Sequence, residues 1–368
     1  MRLRLVKVSA VAAGIATVLA GVGLARGAAI DTKSSLGKVS INGAVSTYIL
    51  SGTKVVNSDR NTFYDVGSAV IDISKEASPV GFEVLAGAYA TPVLGSPLSY
   101  AADTTKTLSP IPVAYLKFKA IKGVELDIGR MPTLIGYESA FTYQNPYIQR
   151  GLVWNMQPVL HDGIRASFSY AGFDFKAGIN DGYYSASTKT TDGKLVISPA
   201  VEFSISKELN SKLSLSFNCL IPSKSAKPND TADPANKEQY DIVGSYSFGK
   251  LSVGFDTLYV YAPKDDEAGV PEAAKAFGTA LHFSYLVSQS LSLNARLEYV
   301  KDFSDKGQID LVGLGDDNSA VTFTLSPEYE EGSLFVKGEL SYVKASKNFT
   351  YKNKDFQVRG GFEVGLKF

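Results

Sequence analysis

The sequence predicts an all-β protein: a transmembrane, antiparallel up-and-down β-barrel of about sixteen strands, with short periplasmic turns and long outer loops. Three observations carry that expectation. The N-terminus has the residue order of an export signal. The remainder alternates apolar and polar residues with the period of two that a strand imposes. Its connections alternate in strict succession between tight turns and long polar segments.

Taken in chain order, residues 1–29 open with Arg2, Arg4 and Lys7, run uncharged from Val8 to Ala25, and end in small residues. Gly27 and Ala29 suit the two small-residue positions of signal peptidase, so cleavage is expected after Ala29, leaving 30–368 as the barrel. A retained membrane anchor is the alternative, because the apolar stretch is long and Arg26 stands close to the cut. Cleavage removes four cations and no anion. The 37 basic and 37 acidic residues of the whole chain become 33 and 37, a net charge of −4.

Composition excludes several function classes. The absence of a basic excess argues against nucleic acid as a partner. A single cysteine, Cys219, rules out an intramolecular disulfide framework and a Cys-based zinc cluster. With only His161 and His282, a multi-histidine metal site cannot form. Nucleotide-binding, nucleophile-elbow and zinc-protease motifs do not occur, so neither cofactor nor metal is expected. An outer-membrane enzyme is a poor candidate for the same reason, since acid–base chemistry most often uses histidine.

The last strand shows the alternation best. Phe356, Val358, Gly360, Phe362, Val364, Leu366 and Phe368 share one parity; Gln357, Arg359, Glu363 and Lys367 hold the other. The same rule runs through 164–170, 197–205, 213–221, 291–299 and 321–329. Such strands are long enough to cross a bilayer, which takes about 9–11 residues. Tight turns fall at 76–79, 121–123, 171–172, 208–211, 249–250, 288–290 and 330–333. Long connections fall at 51–62, 91–110, 131–161, 182–194, 222–237, 263–275, 303–318 and 345–354. Fifteen connections imply sixteen strands, with both ends on the short-turn side. Closure removes edges that hydrocarbon would not tolerate. Tyr170 with Phe173, Tyr246 with Phe248, and Phe283 with Tyr285 suit an interfacial aromatic girdle.

Residues 131–161 depart from this pattern. The segment is the longest connection, carries the only tryptophan, Trp154, and is too apolar for a solvated outer loop. In a barrel of this size the lumen is an aqueous channel, so this third long loop is expected to fold inward and narrow it. Gly129-Arg130, Ile135-Gly136-Tyr137-Glu138, Asn145, Tyr147 and Arg150, then Pro158, His161 and Gly163 before an alternating strand, resemble the OmpL-like outer-membrane β-barrel porin family over about residues 124–170. Gln149 and Gly151 flank Arg150 where that family usually has serine. The resemblance implies a diffusion channel in the outer membrane of a diderm bacterium. Phe362, Val364, Leu366 and Phe368 similarly resemble the terminal signature through which barrel-assembly machinery takes up such proteins.

The candidate constriction residues are Tyr137, Glu138, Gln144, Asn145, Arg150, His161 and Asp162. Two readings of their charges stand. They set a transverse field that selects solutes, or Glu138 and Arg150 pair to hold the loop folded. His161 is expected to serve as a hydrogen-bonding or pore-lining group rather than as a base. Lys117, Lys119, Arg165 and Lys176 face the lumen by parity and form a candidate basic pore wall. The acidic segment 302–318 fails the EF-hand spacing and reads as a solvated, cation-bridged outer loop. The expected function is passive passage of small hydrophilic solutes and ions; a sugar- or anion-selective channel and a sealed structural or adhesive barrel are the alternatives. Expected partners are outer-membrane lipid and those solutes, with a homotrimer suggested by fold analogy.

Overall fold

The computed structural model describes residues 28–31, 37–53, 61–182, 199–222, 236–264, 270–304, 309–350 and 353–368. The expected signal segment lies outside them except for its last two residues.

Sixteen antiparallel strands close into a ring. In chain order they are β2 (Lys38–Thr53), β3 (Thr62–Lys75), β4 (Val80–Tyr89), β5 (Val113–Ile121), β6 (Val124–Pro132), β7 (Leu160–Tyr170), β8 (Phe173–Asn180) and β9 (Ala200–Asn210). The second half comprises β10 (Leu213–Pro222), β11 (Glu238–Phe248), β12 (Leu251–Ala262), β13 (Ala274–Leu286), β14 (Leu291–Asp302), β15 (Ser319–Glu331), β16 (Leu334–Ala345) and β17 (Phe356–Lys367). Each pairs with its chain neighbour, and β17 returns to β2, Thr53 opposite Val358 through Ala44 opposite Lys367. The expected strand count and both kinds of connection are observed. Where a hairpin is tightest, Ala171 and Gly172 both take positive φ (52° and 75°), the conformation that matches strand twist in a two-residue turn.

One element was not expected. A four-residue strand, β1 (Ala28–Asp31), pairs with Lys38–Ile41 at the foot of β2. It continues the position of β17 beyond the chain end, where Phe368 exchanges backbone hydrogen bonds with Gly43. The cut expected after Ala29 falls within this strand.

Parity sorts the two faces as the sequence implied. Ile71, Ile128, Ile164, Phe217, Leu297, Phe323 and Phe362 are exposed on the outer surface. Gln357, Arg359 and Glu363, one residue out of phase with Phe362, are buried inside. The hydrophobic core lies within the barrel. There, Leu258, Val260, Ala276, Val300, Ala320 and Val343 on β12–β16 pack against loop residues Leu152, Val153 and Met156.

Candidate functional site: an infolded loop across the lumen

The loop between β6 and β7 leaves one wall and is anchored on the opposite one. Its ascending part is held by backbone N–H groups. Gly136 donates to Asp241 on β11 (2.8 Å) and Tyr137 to Asp256 on β12 (3.1 Å). The Tyr137 ring then stacks on His282 of β13 with centroids 4.4 Å apart. Gly254 makes that possible, since a Cβ there would stand 2.6 Å from the Tyr137 ring.

The middle of the loop folds on itself. Asn145 accepts from the Ser139 N–H (2.9 Å) and donates to the Ser139 and Phe141 carbonyls (2.8 and 2.7 Å). Phe141 is thereby driven against Val70, Leu85 and Tyr89 on β3 and β4. Thr142 donates to Glu363 (2.6 Å) and accepts from Lys337 (2.7 Å). Gln144 stays exposed, in hydrogen-bond contact with Ser139 and Tyr143. Burial, with the charge of Asp72 adding to it, pushes the Tyr143 phenol up to about 12.

The descending part binds β14–β16. Glu339 accepts from the Ile148 N–H (2.6 Å), the Gln149 N–H (3.1 Å) and the Gln149 side chain (2.6 Å). Tyr147 donates to the Ala295 carbonyl (2.8 Å), and the Val153 N–H reaches Glu298 (3.1 Å). Buried backbone donors need partners, and here carboxylates of the wall supply them.

Four expectations need correction. Glu138 and Arg150 do not form an ion pair. Glu138 binds Arg296 (2.5 Å) and accepts from the Gly151 N–H (2.8 Å), while Arg150 donates to the carbonyls of Ser139, Tyr147 and Ile148. Arg150 is wholly buried; that desolvation lowers its pKa, with Glu138 and Glu363 opposing. Asp162 is not in the constriction. It pairs with Arg130 (2.6 Å) on the parity of Ile128 and Ile164, facing outward at the outer end of β6 and β7. The basic wall is half neutralised: Lys117 pairs with Glu83 (3.2 Å) and Arg165 with Glu202 (2.7 Å), leaving Lys119 and Lys176 exposed. Finally, the described part of 302–318 is not a solvated loop. Leu311, Val312 and Leu314 join the buried cluster of the long loop, and Val312 accepts from Asn155 (2.9 Å). Its carboxylates serve the chain itself, Asp302 and Asp310 accepting backbone N–H groups and Asp317 holding Lys301 and Lys347.

His161 is buried, its ring nitrogens 3.0 Å from the Gly182 carbonyl and 3.1 Å from the Thr133 hydroxyl, as the hydrogen-bonding reading expects. A further participant escaped the sequence reading. Residues 92–96 enter the lumen from the β4–β5 connection. Arg150 N–H donates to the Pro92 carbonyl and Leu94 N–H to the Arg150 carbonyl (2.7 and 3.0 Å). Arg359 donates to the Val93 and Ser96 carbonyls (3.0 and 2.6 Å). The apolar run Pro92-Val93-Leu94 was the signal for this.

Burial around the lumen is therefore lopsided. Asp241, Asp256, Arg296, Glu298, Lys337, Glu339, Arg359 and Glu363 are all at most 6% exposed under the loop. On the facing wall, Asp72, Glu83, Tyr115, Lys117, Lys119, Glu125, Asp127, Asp174 and Lys176 are half-buried or exposed.

Solved structures share this architecture. Outer-membrane expressed OmpT of Vibrio cholerae aligns with 92% of this chain and 100% of its own (TM-score 0.60, 14% identity). An anion-selective porin from Comamonas acidovorans aligns with 90% of this chain and 99% of its own (TM-score 0.58, 13% identity). OprB of Pseudomonas putida aligns with 90% and 94% (TM-score 0.58, 10% identity). A search of curated proteins finds no match. The model of one family, described as "Putative beta-barrel porin-2, OmpL-like", matches residues 38–368. Sixteen closed strands, a lumen crossed by its third long loop and that match place the chain in the OmpL-like β-barrel porin family of the bacterial outer membrane.

Proposed function

We propose that the protein is a passive diffusion channel for small hydrophilic solutes and ions. The observation that carries this reading is the lopsided burial of lumen charge. The loop draws its charged anchors from β11–β17, while on β3–β8 Asp72, Glu83, Lys117, Lys119, Glu125, Asp127, Asp174 and Lys176 stay half-buried or exposed. Mixed charges along a wetted wall let ions pass without binding them firmly. Gln144 and Tyr143 are the loop side chains that border this passage. Stepwise, ohmic conductance from purified protein in planar bilayers is the expected result; a silent membrane would sink the proposal.

A sealed barrel is the second reading, favoured by the interlocking of three loops around Leu94, Leu152 and Leu314. Deleting residues 137–156 would then create conductance that the native chain lacks. Little supports a sugar slide, because Tyr48 and Tyr89 are buried.

A further inference from the structure

The outward face carries a groove at the short-turn end of β8–β11. Phe173, Ile205, Lys207, Leu215, Phe217 and Ile242 line it, and it encloses about 370 Å³. The strand register explains its shape. Ile205, Phe217 and Ile242 stand abreast on β9, β10 and β11. In the next row toward the turns the neighbours are Lys207, Leu215 and Gly244. In that row the place of a side chain on Gly244 is taken by Phe255 and Leu215, 2.4 and 2.7 Å from where its Cβ would stand.

Lys207 is the single charged residue of the lining. Its Nζ lies 4.0 Å from the centroid of the Phe173 ring. Among the described residues it forms no ion pair. Lys212 at the adjoining turn sits 6.0 Å over Phe248. Lys207 and Lys212 thus place positive charge, with no carboxylate partner among the described residues, at the edge of the groove.

We propose that this groove binds an anionic phospholipid of the periplasmic leaflet. One acyl chain lies along Phe217 and Ile242, and the phosphate meets Lys207 with Lys212 beside it. An apolar groove alone does not discriminate between lipids. A lysine that runs its stem along apolar surface and holds its ammonium at headgroup depth does.

Cys219, the only cysteine, faces outward one position beyond Phe217 on the same face of β10. A bimane on this thiol in the refolded, bilayer-inserted chain reports the lipid in the groove. The quenchers are nitroxide-labelled phosphatidylglycerol and phosphatidylcholine. The expected result is a relative binding constant about fivefold in favour of the anionic lipid, the effect of one lysine near a charged headgroup, falling toward one in Lys207→Gln. Equal quenching by the two lipids overturns the proposal, as does a preference that survives Lys207→Gln. A second copy in the groove would give a Cys219–Cys219 disulfide dimer on oxidation and quenching by neither lipid, which also overturns it. Should Lys207→Gln fail to insert, Lys212→Gln repeats the comparison, with about half the preference expected to remain and an unchanged preference counting against the site.

Discussion

Glu138 and Arg296 join the loop to the far wall: Oε1 of Glu138 accepts from Nη1 of Arg296 at 2.5 Å, with both side chains buried. Arg296 also faces Glu298 (3.3 Å), donates to the Gln149 carbonyl (3.1 Å) and lies 4.6 Å over the Tyr147 ring. Removing it strands two buried carboxylates at once. Breaking a buried pair from one side costs about 3–5 kcal/mol. Arg296→Met should lose that much stability in urea unfolding from lipid vesicles. Glu138→Gln combined with Arg296→Met should cost less than the two single changes summed, because the pair acts together. Strict additivity would show that the contact is incidental.

Gly151 tests how closely the loop approaches the wall. Its φ of −76° suits any residue, so its small size rather than its flexibility is what matters. A Cβ there would lie 2.1 Å from Oε1 of Glu298, the atom that accepts the Val153 N–H. Gly151→Ala must push Glu298 away or lift the helical turn Leu152–Asn155 that follows. The expected cost is about 1–3 kcal/mol, typical of overpacking, with noisier single-channel current. A variant as stable and as quiet as the native chain would contradict this packing.

The β14–β15 connection, whose Leu311, Val312 and Leu314 cover the long loop as an outer lid, has a pH limit set by Asp317. Hydrogen bonds from Lys301 and Lys347 hold its carboxyl at about 2, below the ordinary value. A group whose pKa is depressed on folding stabilises the fold above its unfolded pKa, and that contribution disappears as pH falls through the folded value. The described part of 303–318 should therefore keep its amide protection down to about pH 4 and lose it progressively toward pH 2. Asp317→Asn should show low protection at every pH. Since the carboxylate is exposed, high salt should mimic the substitution. Protection that ignores pH, salt and the substitution would assign the lid's hold to Leu311, Val312 and Leu314 alone.

The barrel was legible in the sequence because its signal is local. Phe362 and Glu363 fall on opposite faces by the geometry of one peptide unit, and each tight turn is written in a few adjacent residues. The inward course of 131–161 was legible too, since an apolar, Trp-bearing loop must bury itself somewhere. Partners were not. Glu138 finds Arg296, 158 positions away, rather than Arg150, twelve away. Only closure of the ring brings β14 opposite the loop. Asp162 was misassigned for a different reason. Proximity to the loop in sequence suggested the lumen, whereas the parity of Ile164 already placed Asp162 outside. The buried Leu311-Val312 pair was hidden among aspartates whose charge is absorbed by backbone N–H groups.

Ion preference follows from the wetted wall. Three cations, Lys117, Lys119 and Lys176, remain half-buried or exposed there, against five anions, Asp72, Glu83, Glu125, Asp127 and Asp174. Arg165 adds nothing, being paired with Glu202 in a buried bidentate contact of 2.7 and 3.0 Å. The passage is therefore net negative and should favour cations mildly, the opposite of what the four basic residues alone suggest. In a tenfold KCl gradient the reversal potential should have the sign of potassium selectivity. Lys119→Gln with Lys176→Gln should strengthen that selectivity. Glu125→Gln with Asp127→Asn should abolish or invert it, because these two carboxylates lie on β6 directly opposite Lys119 and Lys117 of β5. Neither pair of changes touches the loop anchors, so conductance should move by less than about twofold while selectivity shifts, wall charges acting on which ions enter rather than on the width of the pore. Anion selectivity in the native chain, or a reversal potential indifferent to both pairs, would mean that ions pass along some other wall.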